Sequence, residues 1–168
     1  HCLMDLGNDD ARKYVFETIC SFADKLNMEC LRQDFNFEPE KYWDENEDTD
    51  RKGIREIKHV MGLYRLWDDL LEKYPDLMID NCASGGRRLD LELTRRSVPV
   101  WRSDYNCNPH EDILEATQFQ TFGLSFWLPL SGTVTYSESE YAARSSIMPL
   151  TLETFGTIHG EHYGEYIN

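Results

Sequence analysis

Two aspartates, Asp34 and Asp104, each lie where a short apolar segment gives way to a polar one. Two carboxyl groups delivered to one place can flank a scissile bond, one as nucleophile or base and the other as acid. Cys82 follows a third apolar segment and begins the stretch Cys82-Ala83-Ser84-Gly85-Gly86. A catalytic thiol needs a base, which nothing in the sequence nominates, so Cys82 is interpreted as a contact residue. The adjacent glycines allow a backbone to approach a ligand closely.

Two stretches invite comparison with phosphate and metal sites, and neither has the required spacing. Residues 82–86 lack the lysine of a phosphate-binding loop and the spacing of a dinucleotide fingerprint. The stretch His159-Gly160-Glu161-His162 departs from the His-Glu-x-x-His pattern of zinc helices, and its glycine disfavours a helix. We therefore expect no metal and no cofactor.

Short apolar strands alternate with longer amphipathic helices along the chain. Strands are predicted at 3–6, 28–34, 77–80, 98–102 and 124–128, and residues 155–158 fit a short sixth strand. Helices are predicted from a cap at Asn8, over about 53–73 with Asp50 or Thr49 at its start, and over about 87–96 and 109–122. Repeated strand–helix units predict an α/β domain with a parallel sheet, whose carboxyl strand ends would gather Asp34, Cys82 and Asp104. Periodicity leaves open whether this sheet is doubly wound or a closed barrel.

The charge balance excludes several classes of partner. The 168 residues carry 17 basic and 31 acidic side chains, a net charge of -14, which disfavours nucleic acids and anionic membranes. Much of this acidity lies in residues 38–50, which we expect to form a solvated loop. Five scattered cysteines without CxxC spacing indicate a reducing compartment, and we expect a cytoplasmic location. No apolar run approaches the length of about 20 residues that spans a bilayer.

Four stretches together resemble the glycoside hydrolase family 36 α-galactosidases. They are Met4-Asp5-Leu6-Gly7-Asn8, Arg32-Gln33-Asp34-Phe35-Asn36, Cys82-Ala83-Ser84-Gly85-Gly86-Arg87-Arg88 and Trp101-Arg102-Ser103-Asp104. Their order and spacing match the family over nearly the whole chain. The resemblance implies a (β/α)8 TIM barrel and hydrolysis of terminal α-galactosides with retention of configuration. Its ligands would be α-galactoside oligosaccharides or galactose.

The resemblance also implies roles for individual residues. Asp34 matches the family's nucleophile and Asp104 its general acid/base. The remaining residues expected to contact the sugar are Arg32, Asn36, Cys82, Gly85 and Trp101. Many members carry lysine where this chain has Arg32, so the charge is kept but its geometry is changed. Retention requires the two carboxyl groups to lie about 5–5.5 Å apart. Aromatic faces commonly stack on sugar rings, so we expect such stacking from Trp101, three residues before Asp104, and from Trp43, in the loop after Asp34.

The resemblance places residues 1–168 within an incomplete barrel, from about strand 3 to strand 8. We expect the first barrel strands, an N-terminal β-sandwich and a C-terminal domain to be absent from this chain. The chain alone is therefore expected to be inactive, and the full-length form to be a homo-oligomer. Three alternatives remain open, namely an α-N-acetylgalactosaminidase, a galactosyl transferase and a non-catalytic sugar-binding remnant.

Overall fold

The computed structural model describes residues 3–107, 113–128, 130–135, 140–146 and 150–153. The helices are α1 (Asp9–Leu26), α2 (Glu40–Asp44), α3 (Ile54–Lys73), α4 (Leu91–Thr94), α5 (Ile113–Ser125) and α6 (Glu140–Ser145), with a 3₁₀ turn at Asp104–Cys107. The strands are β1 (Cys30–Asp34), β2 (Met78–Cys82), β3 (Gly132–Thr135) and β4 (Leu150–Glu153). The chain divides into two compact units, one ending at Val98 and the other beginning at Pro99. The α/β class predicted from the sequence is confirmed.

Helix α1 begins where the sequence predicts it, because Asn8 satisfies its first free amides. The Asn8 side chain accepts hydrogen bonds from the backbone N–H groups of Asp10 and Ala11. Asp9 and Asp10 lie in the first turn, where negative charge favours the helix dipole. The helix ends at Asn27, which adopts a left-handed conformation (φ 52°). The chain is thereby turned towards β1.

The first unit is built on one strand–helix–strand repeat. Strands β1 and β2 pair in parallel, and α3 is the long helix of the connection between them. The buried face of α3 carries leucines and a fully buried tryptophan, Trp67, in one core with Ile79 of β2. Burying each such large side chain contributes about 1.5–3 kcal/mol, so this packing fixes β1 and β2 in place.

The second unit contains another parallel pair, β3 with β4, in which Gly132 lies opposite Leu150. Helix α6 lies between these strands in sequence, so the strand–helix–strand pattern recurs. The backbone N–H of Gly132 donates to the carbonyl of Pro99 at 3.0 Å, and a Cβ at position 132 would lie 1.8 Å from the carbonyl oxygen of Val100. Only glycine permits this close approach.

Two predicted strands are not formed. Residues 3–6 are irregular, and the Leu6 N–H donates to the side-chain Nδ1 of His59 rather than to a strand. In the predicted strand 98–102, Val98 forms an isolated parallel bridge to Asp80 instead of a continuous strand ladder. The next residue, Pro99, has no N–H to continue the ladder.

Two other boundaries also differ. The predicted helix 87–96 shortens to α4, because Asp90 caps it by accepting a hydrogen bond from the N–H of Leu93 at 2.9 Å. The predicted strand 124–128 is wrong, since α5 runs through Ser125 and the N–H of Leu128 still donates to Leu124. A short apolar run fits either a helix or a strand, so periodicity alone misassigned it.

The acidic stretch 38–50 is more ordered than a plain loop. It contains α2, and the Glu47 carboxylate accepts hydrogen bonds from the backbone N–H groups of Gly53 and Arg55. Helix α3 therefore begins after Gly53, not at Thr49 or Asp50. The predicted strand 155–158 lies outside the described residues. Among the residues described, no helix has both the length and the apolar composition needed to cross a bilayer.

Candidate active site

The register of β1 and β2 brings four ionisable side chains onto one face of the sheet. Arg32 lies opposite Asp80, and Asp34 lies opposite Cys82. Because side chains alternate along a strand, positions two apart share a face. Of these four residues, the sequence predicted roles for Arg32, Asp34 and Cys82. It gave none to Asp80, although a charged residue within an apolar strand was a usable signal.

The Asp34 carboxyl group is surrounded by donors. Although burial raises its pKa, hydrogen bonds from the side chains of Asn36 and Cys82 and the charge of Arg32 hold it below the ordinary value of 3.8. The Arg32 Nη2 lies 3.4 Å from Asp34 Oδ2. Burial raises the pKa of the Cys82 thiol, so this group stays protonated and can donate to the carboxylate. Asp34 is therefore an ionised, oriented carboxylate at neutral pH.

Asn36 is oriented by the turn that follows β2. Its Oδ1 accepts hydrogen bonds from the Ser84 N–H at 2.9 Å and from the Ser84 hydroxyl at 3.3 Å. Ser84 and Gly85 both adopt positive φ, 48° and 77°, which turns the backbone N–H of Ser84 towards Asn36. Glycine is the residue that takes this conformation without strain. With Oδ1 occupied, the amide nitrogen of Asn36 is left as the donor.

Arg88 ties the ends of both strands together. Its Nη2 donates to the carbonyl oxygens of Cys82 at 2.6 Å and Gln33 at 3.3 Å. Its guanidinium also lies over the rings of Phe35 and Trp67, at 5.6 and 6.0 Å from their centroids. Burial lowers the pKa of Arg88. Arg88 belongs to the Cys82–Arg88 motif, but no structural role was predicted for it from the sequence.

The position of Trp43 does not suit the role expected for it. Its side chain is buried, and its ring lies 5.0 Å from that of His59. Little of the indole surface is left for stacking on a sugar. The structure makes Trp43 a packing residue between the acidic stretch and α3.

In the second unit, Trp101 and Asp104 lie in direct contact. The indole Nε1 of Trp101 donates to Asp104 Oδ1 at 3.1 Å, and Asp104 begins the 3₁₀ turn. Asp104 is exposed and Trp101 is half-buried. The sequence predicted stacking on a sugar for Trp101, and the structure adds a hydrogen bond that orients the proposed acid/base. The separation of the two carboxyl groups stays a prediction.

Arg102 fixes the segment that contains Trp101 and Asp104 through a buried set of hydrogen bonds. It is 3% exposed, and its Nη2 donates to the Thr117 carbonyl, the Thr121 hydroxyl and the Thr133 hydroxyl at 2.9–3.0 Å. Burial lowers its pKa to about 10. One guanidinium thereby joins α5 and β3 to the residues that carry Asp104.

Each of the two units contains a parallel strand pair, and each carries one of the two aspartates, Asp34 at the end of β1 and Asp104 at the start of the 3₁₀ turn. The family model that matches residues 1–146 is that of Melibiase. The chain belongs to the melibiase family.

Curated relatives of the chain are named as α-galactosidases. An α-galactosidase of Lactobacillus acidophilus is 26% identical over 129 residues, which make up 77% of this chain and 17% of that protein. The bifunctional alpha-galactosidase/sucrose kinase AgaSK of Mediterraneibacter gnavus is 28% identical over 129 residues, 77% of this chain and 12% of that protein. This chain thus spans less than a fifth of the length of these two relatives.

Solved structures share the fold. The α-galactosidase from Lactobacillus brevis superimposes with a TM-score of 0.70 at 20% identity, covering 94% of this chain and 22% of that one. A variant of the family 36 α-galactosidase AgaA from Geobacillus stearothermophilus, in complex with stachyose, gives a TM-score of 0.75 at 18% identity, covering 94% and 23%.

Proposed function

We propose that the protein containing this chain is a retaining α-galactosidase that works through a covalent galactosyl-enzyme intermediate. The observation that carries this proposal is the ionised Asp34, held by side-chain donors at the carboxyl end of β1 in a chain of the melibiase family. Asp34 is the nucleophile and Asp104 the acid/base.

In the first step Asp34 attacks the anomeric carbon while protonated Asp104 gives its proton to the departing glycosidic oxygen. In the second step water attacks the same carbon, Asp104 takes its proton, and the bond to Asp34 breaks. The donors around Asp34 support the first role, since they stabilise the carboxylate form. The Trp101 indole supports the acid/base role of Asp104, because its hydrogen bond to Oδ1 fixes the orientation of the carboxyl group. Arg32, Asn36, Cys82 and Gly85 complete the proposed sugar contacts.

The same proposal covers the architecture. Two parallel strand pairs and an isolated parallel bridge fit part of a (β/α)8 barrel, from about its third strand to its last. In such a barrel the carboxyl strand ends meet at one face, which would bring Asp34 and Asp104 to one bond.

The substrates proposed are α-galactosyl oligosaccharides. Variants of the Geobacillus enzyme have been solved with raffinose and with stachyose, which are sugars of this class.

The location proposed is the cytoplasm. Free thiols at four described positions support it, namely Cys20, Cys30, Cys82 and Cys107.

The test is hydrolysis of 4-nitrophenyl α-galactoside by the complete protein, with the anomer released followed by proton NMR. We expect α-galactose as the first product. Asp34→Asn should reduce turnover at least about 1,000-fold, because no nucleophile remains. A 2-deoxy-2-fluoro-galactosyl fluoride should label the wild-type protein covalently on the peptide that carries Asp34.

The control is Asp69→Asn, which removes an exposed carboxylate on α3 and should leave turnover unchanged. β-Galactose as the first product would contradict the retaining mechanism. An active wild type whose activity survives Asp34→Asn would contradict the assignment of the nucleophile.

A further inference from the structure

We propose that Asp80 is a positioning residue that holds Arg32 and thereby limits how far Arg32 pairs with Asp34. This inference rests on the proposed function, since it concerns the proposed nucleophile. Asp80 lies in β2, directly across the sheet from Arg32, and two residues before Cys82. Arg32, Asp80 and Cys82 therefore lie on the same face of the two paired strands as Asp34.

The two contacts of Arg32 are unequal. Its Nη1 lies 2.5 Å from Asp80 Oδ2, whereas its Nη2 lies 3.4 Å from Asp34 Oδ2. A charge-assisted hydrogen bond normally has a length of about 2.7–2.9 Å, so the contact with Asp80 is strong and the contact with Asp34 is weak. The position of the guanidinium is therefore set by Asp80, and its hydrogen bond to Asp34 is secondary.

Burial explains why Asp80 is the firmer partner. The Asp80 side chain is 7% exposed, whereas those of Arg32 and Asp34 are 43% and 32% exposed. A buried carboxylate without a cation is costly, so Asp80 has the greater need of the guanidinium. Burial alone would lower the pKa of Arg32, but the hydrogen bond with Asp80 raises it, with the charge of Asp34 a smaller contribution.

The consequence concerns the reactivity of Asp34. Guanidinium and carboxylate groups favour a bidentate pair, in which both oxygens accept a hydrogen bond. Such a pair would occupy the oxygen that must attack the anomeric carbon. Because Asp80 keeps Nη1, Arg32 reaches Asp34 with Nη2 alone. Asn36 and Cys82 still stabilise the carboxylate, and one of its oxygens is left without a hydrogen bond from Arg32.

The experiment is Asp80→Asn in the complete protein, assayed with 4-nitrophenyl α-galactoside. The amide removes the negative charge that holds the guanidinium, so Arg32 can turn to pair with Asp34 through both nitrogens. We expect kcat to fall by about 100-fold, since misplacement of a reacting group by about 1 Å has this effect, while KM changes less than about threefold. The control is Asp68→Asn, which breaks a pair with Arg96 at 2.6 and 3.0 Å on the α3 surface and should leave kcat unchanged.

A double-mutant cycle separates positioning from a merely structural role. If Asp80 acts through Arg32, Asp80→Asn should cost less than about twofold when added to Arg32→Gln. Independent, multiplicative losses would overturn the inference. Asp80→Glu, which keeps the charge and the fold but lengthens the side chain, should retain part of kcat, and a kcat equal to that of Asp80→Asn would also overturn it.

The failure of this inference and that of the proposed function look different. An active wild type with an unchanged Asp80→Asn variant refutes the role of Asp80 and leaves the α-galactosidase proposal intact. A wild-type protein without turnover refutes the proposed function, and the role of Asp80 falls with it. Should Asp80→Asn fail to fold, as seen by circular dichroism, Asp80→Glu takes its place in the cycle with Arg32→Gln, and independent, multiplicative losses of kcat again overturn the inference.

Discussion

Gly62 lies where helix α3 crosses the chain just before α1, and replacing it with alanine tests that packing. A Cβ at position 62 would lie 1.9 Å from the carbonyl oxygen of Leu6 and 2.4 Å from its carbonyl carbon. The obstacle is backbone, so it cannot rotate away as a side chain would. The Leu6 segment is also held by its N–H bond to His59, 3.2 Å long.

Two effects oppose each other in this variant. Overpacking of a filled core costs about 1–3 kcal/mol, and a clash with backbone belongs at the upper end. Alanine is a better helix former than glycine by about 1 kcal/mol, which offsets part of that cost. We therefore expect Gly62→Ala to lower the free energy of unfolding by about 2 kcal/mol.

A matched control is available in α5. Gly123 is also helical, but a Cβ there meets nothing within 4 Å. Gly123→Ala should therefore raise the free energy of unfolding by about 0.5–1 kcal/mol. The assay is urea unfolding followed by tryptophan fluorescence, with both variants measured beside the wild type. Equal stabilisation by the two substitutions would refute the close approach of Leu6 to α3.

Three further predictions follow from single groups. Asn8→Ala should lower the free energy of unfolding by about 1 kcal/mol, measured by urea unfolding, because two amides at the start of α1 lose their acceptor. Since the folded-state pKa of Asp34 is below 3.8, the acid limb of kcat/KM should lie below about pH 4; a limb between pH 5 and 6 would contradict this. Burial lowers the pKa of His59 from 6.5, so the unfolded chain binds the extra proton first and stability falls as the pH drops below 6.5. Urea midpoints at pH 7.5 and 5.5 measure this loss, which His59→Gln should reduce.

The elements with strong local signals were predicted correctly. The Asn8 cap, the helical spacing of α3 and the apolar runs of β1 and β2 each depend on neighbours in sequence, so they could be identified without a fold. The strand expected at 98–102 failed because strands exist only through partners, and Pro99 cannot donate to one. The run 124–128 failed because a short apolar segment fits a helix as well as a strand.

In the candidate site, too, local motifs were predicted and contacts between distant residues were not. The motif around Asp34 and the Cys82–Gly86 turn were recognisable from residue types and order, and with them the melibiase family. Asp80 and Arg88 were not assigned roles, because each acts on groups about fifty residues away in the chain. Only the register of β1 against β2 places Arg32 opposite Asp80.

By itself the sequence determined the family, the α/β class, the acidic surface and the identity of the candidate nucleophile, since residue types and local spacing carry these properties. Tertiary structure alone decided which groups form hydrogen bonds and ion pairs with Asp34. Its low pKa, the unequal contacts of Arg32 and the turn that orients Asn36 come from two strands brought side by side. Hydrogen bonds and charge interactions act over a few ångströms of space, whatever the distance along the chain.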